Sequence, residues 1–223
     1  ESFTFGVVWD VAEGLSTTLD YWSFDITGAI SRVNVQEELN NCQMGDQAAC
    51  DGINVSPDGD LSNLTSSLTN IGSQKTSGLD LNIKYSADIF TAAFDSTYLL
   101  NFEEDGIDYT GTIDGNMGGY SELKANFSLT AAVSEHLNLL YSAQYIKGMD
   151  GNAWGEEYST DDVIYHNASA AYFINDKWQV TGGVKNIFDT EPEEVPDGND
   201  MNTVPNLYDV VGRTFYLSTS IAF

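Results

Sequence analysis

The feature that most constrains this chain is the order of its connections. Segments with a two-residue period lie at 3–11, 15–30, 75–86, 90–102, 120–133, 137–147, 163–173 and 178–188, and a last one closes the sequence at 214–223. The turns at 12–14, 87–89, 134–135 and 175–176 are tight, whereas the loops at 31–65, 103–119, 148–162 and 189–210 are long and acidic. An all-β sandwich has no reason to keep so strict an order. An antiparallel membrane barrel keeps it by construction, with brief turns at one rim and long loops at the other. The expected fold is therefore all-β and antiparallel. The count comes to about nine spanning strands, and because bacterial single-chain barrels have even numbers from 8 upward, an odd count points to a piece of a larger barrel.

Alternation within the segments agrees. In the last one Phe215, Leu217, Thr219, Ile221 and Phe223 share a face, opposite Thr214, Tyr216, Ser218, Ser220 and Ala222. In 120–133, Leu123, Ala125, Phe127, Leu129, Ala131 and Val133 oppose Glu122, Lys124, Asn126, Ser128, Thr130 and Ala132. Side chains of a strand alternate sides, so each segment has one apolar and one polar face. A soluble sheet buries the apolar face in a core; a membrane barrel turns it to lipid and keeps the lumen polar. Periodicity alone does not choose between them. Near Tyr21-Trp22-Ser23-Phe24 both faces become aromatic, and the side that is covered there stays open. Ser31 is a candidate cap for a short helix to Leu39, and a small hairpin is expected near 61–70.

The formal net charge is -26, from 34 acidic and 8 basic side chains. That balance opposes nucleic-acid binding, which needs a basic footprint. Apolar runs stay short of the ~18 residues of a membrane helix, which leaves barrel strands of ~10 residues open. The chain begins inside a strand and carries no signal peptide, so upstream sequence is expected to be missing. Cys42 and Cys50 are the two cysteines; a close pair without a neighbouring His or third Cys reads better as a disulfide than as a zinc site, with two free thiols as the alternative.

Val184-Lys185-Asn186-Ile187-Phe188-Asp189, an acidic loop, and then Tyr208-Asp209-Val210-Val211-Gly212-Arg213-Thr214-Phe215-Tyr216 with a terminal Phe223 resemble the end of a TonB-dependent outer-membrane receptor. Gly6-Val7-Val8-Trp9, Asp25-Ile26-Thr27-Gly28-Ala29-Ile30 and Thr76-Ser77-Gly78-Leu79-Asp80 resemble the same family, so the likeness runs through essentially the whole chain. The resemblance implies that residues 1–223 are the carboxyl-terminal part of a barrel of about 22 strands closed around a plug. The plug and the segment that meets TonB are expected to lie outside these residues. It further implies a bacterial outer-membrane receptor that binds a scarce solute and imports it with energy supplied through TonB. The segment around Cys42 and Cys50 is similar to receptors for oligosaccharides, while ferric siderophores stay open as ligands.

By that reading Asp80, Lys84, Asp95, Glu122, Lys124 and Lys185 form a mixed-charge lumen wall that holds the plug. Tyr109, Trp154 and Tyr158 are candidate ligand-stacking aromatics in the long loops. Phe215, Leu217, Ile221 and Phe223 look like the signal by which the barrel-assembly machinery knows its clients, and would also face lipid. Catalysis is not expected: His136 lies in a turn, and His166, although near Asp161 and Asp162, sits among Ile164, Ala168 and Ala170. There is no phosphate-binding or dinucleotide motif, and no cofactor or metal is expected; Asp197, Asn199 and Asp200 lack the spacing of a calcium loop. Two other readings compete: a self-contained small porin or adhesin barrel, and a secreted glycan-binding β-sandwich.

Overall fold

The computed structural model describes residues 1–28, 30–32, 39–40, 42–56, 61–64, 68–70, 72–104, 106–114, 118–196 and 202–222. Nine long strands follow one another: β1 (Ser2–Ala12), β2 (Leu15–Thr27), β3 (Ser73–Ser86), β4 (Phe90–Glu104), β5 (Leu123–Ser134), β6 (Leu137–Ile146), β7 (Val163–Asn175), β8 (Trp178–Lys185) and β9 (Thr214–Ile221). Each pairs antiparallel with the next, so chain order and sheet order coincide. Among the described residues β1 and β9 each have one neighbour, and the sheet is open at both edges.

The expected alternation of connections is present. Two-residue turns join β1 to β2, β5 to β6 and β7 to β8, and each sits beside a register shift on the strand entering it. A bulge of this kind increases local twist, which a curving sheet requires. The long connections carry small ribbons of their own. Ile30–Arg32 pairs with Leu68–Asn70, and Ile53–Val55 pairs with Leu61–Leu64. Ser31 and Arg32 therefore lie in a strand, while residues 33–38 of the helix expected to run to Leu39 lie outside the described residues, and 61–70 does not fold on itself as a hairpin: its two halves pair with earlier segments. Leu39, Asn40, Cys42 and Gln43 are helical, and α1 (Gln47–Asp51) follows beside the Cys42–Cys50 disulfide.

The register fixes what each face carries. One row across the sheet reads Thr18, Asn82, Asp95, Asn126, Gln144 and Tyr165. Its neighbour reads Leu19, Leu81, Ser96, Ala125, Tyr145 and Ile164. On the polar face the side chains bond to one another. Thr18 Oγ1 donates to Asn82 Oδ1 (3.1 Å), Asn82 Nδ2 to Asp95 Oδ1 (2.8 Å) and Thr97 Oγ1 to Asp80 Oδ1 (2.7 Å). The aromatic ambiguity near residue 22 resolves by the same register: Tyr21 packs near Phe3 on the apolar face, and Trp22 lies near Phe24 on the polar one. Gly78 makes room for Trp22, since a Cβ there would collide with the indole.

The apolar face is bare. Phe5, Trp9, Leu19, Ile83, Val133, Tyr172, Phe215 and Leu217 are all exposed, Leu217 by 80%. A water-soluble sheet does not leave so large an apolar surface uncovered. Three polar side chains on this face find their partners within the protein, as hydrocarbon surroundings demand. Thr17 Oγ1 donates to the Asn82 carbonyl (2.9 Å), Trp178 Nε1 to Thr219 Oγ1 (2.8 Å), and Thr219 Oγ1 to the Gln179 carbonyl (3.2 Å). Leu217 and Ser218 are neighbours in β9 on opposite faces, so they separate the two environments. Leu217→Arg is expected to destabilise the lipid-inserted protein by about 2–4 kcal/mol, and Ser218→Arg far less. Urea titration of the intact protein in lipid vesicles measures both, and equal losses would overturn the assignment of faces.

Candidate functional site

Little of the sheet is buried on either side. The buried cluster of this chain lies instead at the rim where the long loops emerge: Ile113, Ile146, Met149, Val163, Tyr165, Val195, Val204 and Tyr208, with Tyr158 and Leu207 against it. Three of these, Ile146, Val163 and Tyr165, belong to the polar face of β6 and β7 at the strand ends. The other side chains come from the loops that follow β4, β6 and β8. Those three loops thus fold over the polar face of the sheet and share a single core.

Hydrogen bonds tie the loops together. Asp150 N donates to the Gly111 carbonyl (2.9 Å), and Tyr158 Oη to the Ile113 carbonyl (3.2 Å). Asp161 N donates to Glu193 Oε2 (2.9 Å), Tyr208 Oη to Thr160 Oγ1 (3.4 Å), and Asp209 N to Tyr165 Oη (3.2 Å). Gly119 stands where a Cβ would press on Leu207 and Met149, so its missing side chain lets two loops touch. Burial pushes the Tyr208 phenol up from its ordinary value, with the charge of Glu193 adding to it against the Thr160 hydrogen bond. The Gly148 N–H, followed by the Tyr145 hydroxyl, holds the Asp162 carboxyl below the usual carboxylate range.

The segment between β8 and β9 is anchored by its own turn chemistry. Asn186 is fully buried at φ 49°. Its Nδ2 donates to the Thr190 carbonyl (2.8 Å), its Oδ1 accepts from Thr190 N (2.8 Å), and its own N–H donates to Asn167 Oδ1 (2.9 Å). Asp189, at φ 57°, accepts from Arg213 N through Oδ1 (2.7 Å) and pairs with the guanidinium through Oδ2 (3.4 Å). The ion pair is exposed and contributes little, about 0–1 kcal/mol. The Asn–Asp and Gly–Arg elements of the sequence motif are therefore a clasp that brings the chain back to pair with β8.

Asp80, Lys84, Asp95, Lys124 and Lys185 all stand on the polar face. Glu122 directly precedes β5, two residues before Lys124, its carbonyl accepts from Leu99 N (2.8 Å), and its carboxylate is ion-paired with Lys147. Among the described residues the ion pairs are Lys147–Glu122 and Arg213–Asp189, so the carboxylates and ammoniums of the polar face are not joined to each other. Of the loop aromatics, Trp154 is 82% exposed at the tip of the hairpin formed by Asp150–Ala153 and Glu156–Ser159. Tyr109 and Tyr158 meet in one cavity of about 720 Å³, lined also by Asp108, Asp114, Asp150 and Glu157. Asp108 is held below the usual carboxylate range by the hydroxyl and N–H of Thr110. Behind Tyr109 lies Tyr120, stacked on Phe102 with centroids 4.0 Å apart.

His166 Nδ1 lies 2.6 Å from Tyr141 Oη, and its ring meets Phe188 edge-on; Asp162, its neighbour in sequence, bonds to Gly148 and Tyr145 instead. Phe215, Leu217 and Ile221 occupy the apolar face of β9. Phe223 lies outside the described residues, as do Asp197, Asn199 and Asp200. The core residues Ile113, Met149, Val195 and Val204 escaped sequence reasoning, because they sit in loops where no periodicity marks them.

An antiparallel meander with one bare apolar face, one polar face and folded loops on a single rim defines a segment of a membrane β-barrel. A family model described as "TonB dependent receptor-like, beta-barrel" matches residues 1–187, and the chain belongs to that family. Among solved structures it is similar to the ferric enterobactin receptor of Pseudomonas aeruginosa, at 17% identity and a TM-score of 0.68, with 100% of this chain matching 31% of that one. The siderophore receptor PirA of Acinetobacter baumannii matches at 13% identity and a TM-score of 0.67, again over 100% of this chain and 31% of that one. The FrpB iron transporter of Neisseria meningitidis gives 15%, 0.68, and the same 100% and 31%. This chain therefore spans about a third of the length of each. A search of curated proteins finds no match.

Proposed function

We propose that residues 1–223 are the carboxyl-terminal part of the barrel of a bacterial outer-membrane receptor, which binds a scarce solute at its loops and imports it with energy delivered through TonB. The observation that carries this reading is the pairing of a polar inner wall with a lipid-ready outer face under loops that share a core. A plug, outside these residues, would sit against Asp80, Lys84, Asp95, Lys124 and Lys185 and relay the pull of TonB. Phe215, Leu217, Ile221 and the terminal Phe223 would serve the barrel-assembly machinery before they meet lipid.

The ligand would be an oligosaccharide or a ferric siderophore. Likeness to ferric enterobactin and siderophore receptors supports the second. The cavity beside Tyr109 and Tyr158 supports the first, because its four carboxylates accept hydrogen bonds from hydroxyls and repel a bare anion. Trp154 is free at the tip of the adjoining hairpin to stack on either. Uptake of labelled oligosaccharides and labelled ferric siderophores by cells carrying the intact protein tests the reading. One of the two classes should accumulate, and a protonophore should abolish accumulation. Entry that persists with the protonophore would instead make this a passive pore.

A further inference from the structure

The polar wall is divided by charge. On β1 to β4 it carries five carboxylates, Asp10, Asp20, Asp80, Asp95 and Glu104, against one ammonium, Lys84. The strand residues of β5 to β9 include no acid, and the charges on that half of the wall are Lys124 and Lys185. Asp20 and Asp80 stand directly opposite each other, which destabilises a sheet unless a cation meets them. Gly6 makes the room in which the Asp20 carboxylate lies, since a Cβ there would strike it. Asp80 and Asp95 accept from neutral donors, the Thr97 hydroxyl and the Asn82 amide, so their charge is left uncancelled. Lys84 and Lys124 flank the group, yet neither is ion-paired with it among the described residues. On the other half the amides and hydroxyls satisfy one another: Asn167 Nδ2 donates to Ser142 Oγ (3.2 Å), and Gln179 Nε2 to Thr181 Oγ1 (2.9 Å).

We infer that the plug is held from one side: a basic face of it is seated on β1 to β4, with an arginine or lysine between Asp20 and Asp80, and it lies against β6 to β8 through far weaker contacts. The inference rests on the polar face being the wall that meets the plug, as proposed above. Packing a protein segment on this wall takes the carboxylates out of water, and a carboxylate so buried is strongly unfavourable unless a cation pairs with it. A guanidinium suits the position best, because its planar fork reaches two carboxylates at once. Hydroxyls and amides already bonded within the wall gain little from a further neutral partner, and such bonds are weaker than charge-assisted ones. Under the pull of TonB the plug then parts first from β6 to β8, beneath the loop cap.

The test joins photo-crosslinking to amide hydrogen exchange on the intact natural protein. With p-benzoylphenylalanine at Thr4, which borders the recess lined by Asp20, Asp80 and Asp95, or at Ser169 on the uncharged half, mass spectrometry identifies the segment that each position captures. Both should capture plug, and the peptide taken at Thr4 should carry an arginine or lysine. Asp20→Asn together with Asp80→Asn should then speed exchange in the Thr4 peptide by about tenfold or more and leave the Ser169 peptide unchanged. Thr181→Val, on the uncharged half, should move neither. Exchanging the charges, Asp80→Arg with the captured cation replaced by Asp, should restore the slow exchange that each change alone destroys. A Thr4 peptide without a cation, indifference to the double Asn variant, or no recovery on exchange of charges overturns the inference. Capture of plug at Ser169 beside any of these results leaves the lumen reading standing and counts against the one-sided hold alone. Capture of plug at neither position overturns both.

Discussion

Replacing Asn186 by Ala is expected to destabilise the β8–β9 hairpin by about 2–5 kcal/mol, although the hydrogen bonds of its side chain run to Thr190 and not to a strand. Two costs combine. The N–H and carbonyl of Thr190 lose their bonds to the carboxamide in a site that is sealed from water, at roughly 1–3 kcal/mol for a buried polar group left unmade. An Ala must also hold φ near 49°, which costs about 1–2 kcal/mol for a residue with a Cβ. Asn186→Gly removes the second cost and keeps the first, so it should recover about 1 kcal/mol relative to Ala. Denaturant titration of the intact protein in vesicles measures both variants. If Gly and Ala behave alike, the backbone conformation is not what the motif protects. If Ala is silent, the clasp is ornamental and β9 is held by its ladder with β8 alone.

That clasp also marks where the sequence stops being readable. The strands were legible because a side chain alternates faces whatever its neighbours do: Leu217 and Ser218, or Leu129 and Thr130, declare their sides without any knowledge of the partner strand. Strand ends were legible to within a few residues, and β8 stops at Lys185 rather than 188 because Asn186 turns left-handed. The Asn186–Asp189 and Gly212–Arg213 pattern was legible as a likeness, but its mechanism needs the positive φ angles and the 2.7 Å bond from Arg213 N to Asp189. The loop core had no local signal. Val195 and Val204 are single apolar residues in polar surroundings, and only their meeting with Ile113, Met149 and Tyr208 makes them a core. The bond from the Tyr158 hydroxyl to the Ile113 carbonyl, which fixes one edge of that ring in the cavity it shares with Tyr109, had no signal in the sequence either. Ser31 was misread because a capping residue and a strand residue look alike when the partner strand, Leu68–Asn70, is far along the chain.

The largest effect is expected from Tyr208→Ala, and it should appear at a distance from residue 208. The ring is 3% exposed and belongs to a core drawn from three loops and the ends of β6 and β7. Truncating a buried aromatic side chain costs about 3–5 kcal/mol, from lost burial together with the cavity left behind. The loops have few other sources of order, whereas the strands keep their ladders, so the loss should fall on the cap as a local opening and spare the sheet. Because Thr160 binds Tyr208, Glu193 binds Asp161 N and Asp150 N binds Gly111, the opening should spread through all three loops. Limited proteolysis of the lipid-inserted protein should then cut within 106–114, 147–162 and 186–196 together, at rates that rise in parallel, while the tight turns at the other rim stay intact. Tyr208→Phe, which gives up only the 3.4 Å bond to Thr160, should cost about 1 kcal/mol or less and leave the loops resistant. Cleavage confined to the loop before β9 would sink the shared core: it would mean that the three loops rest on one another without depending on one another, and that each is free to move alone when a ligand arrives.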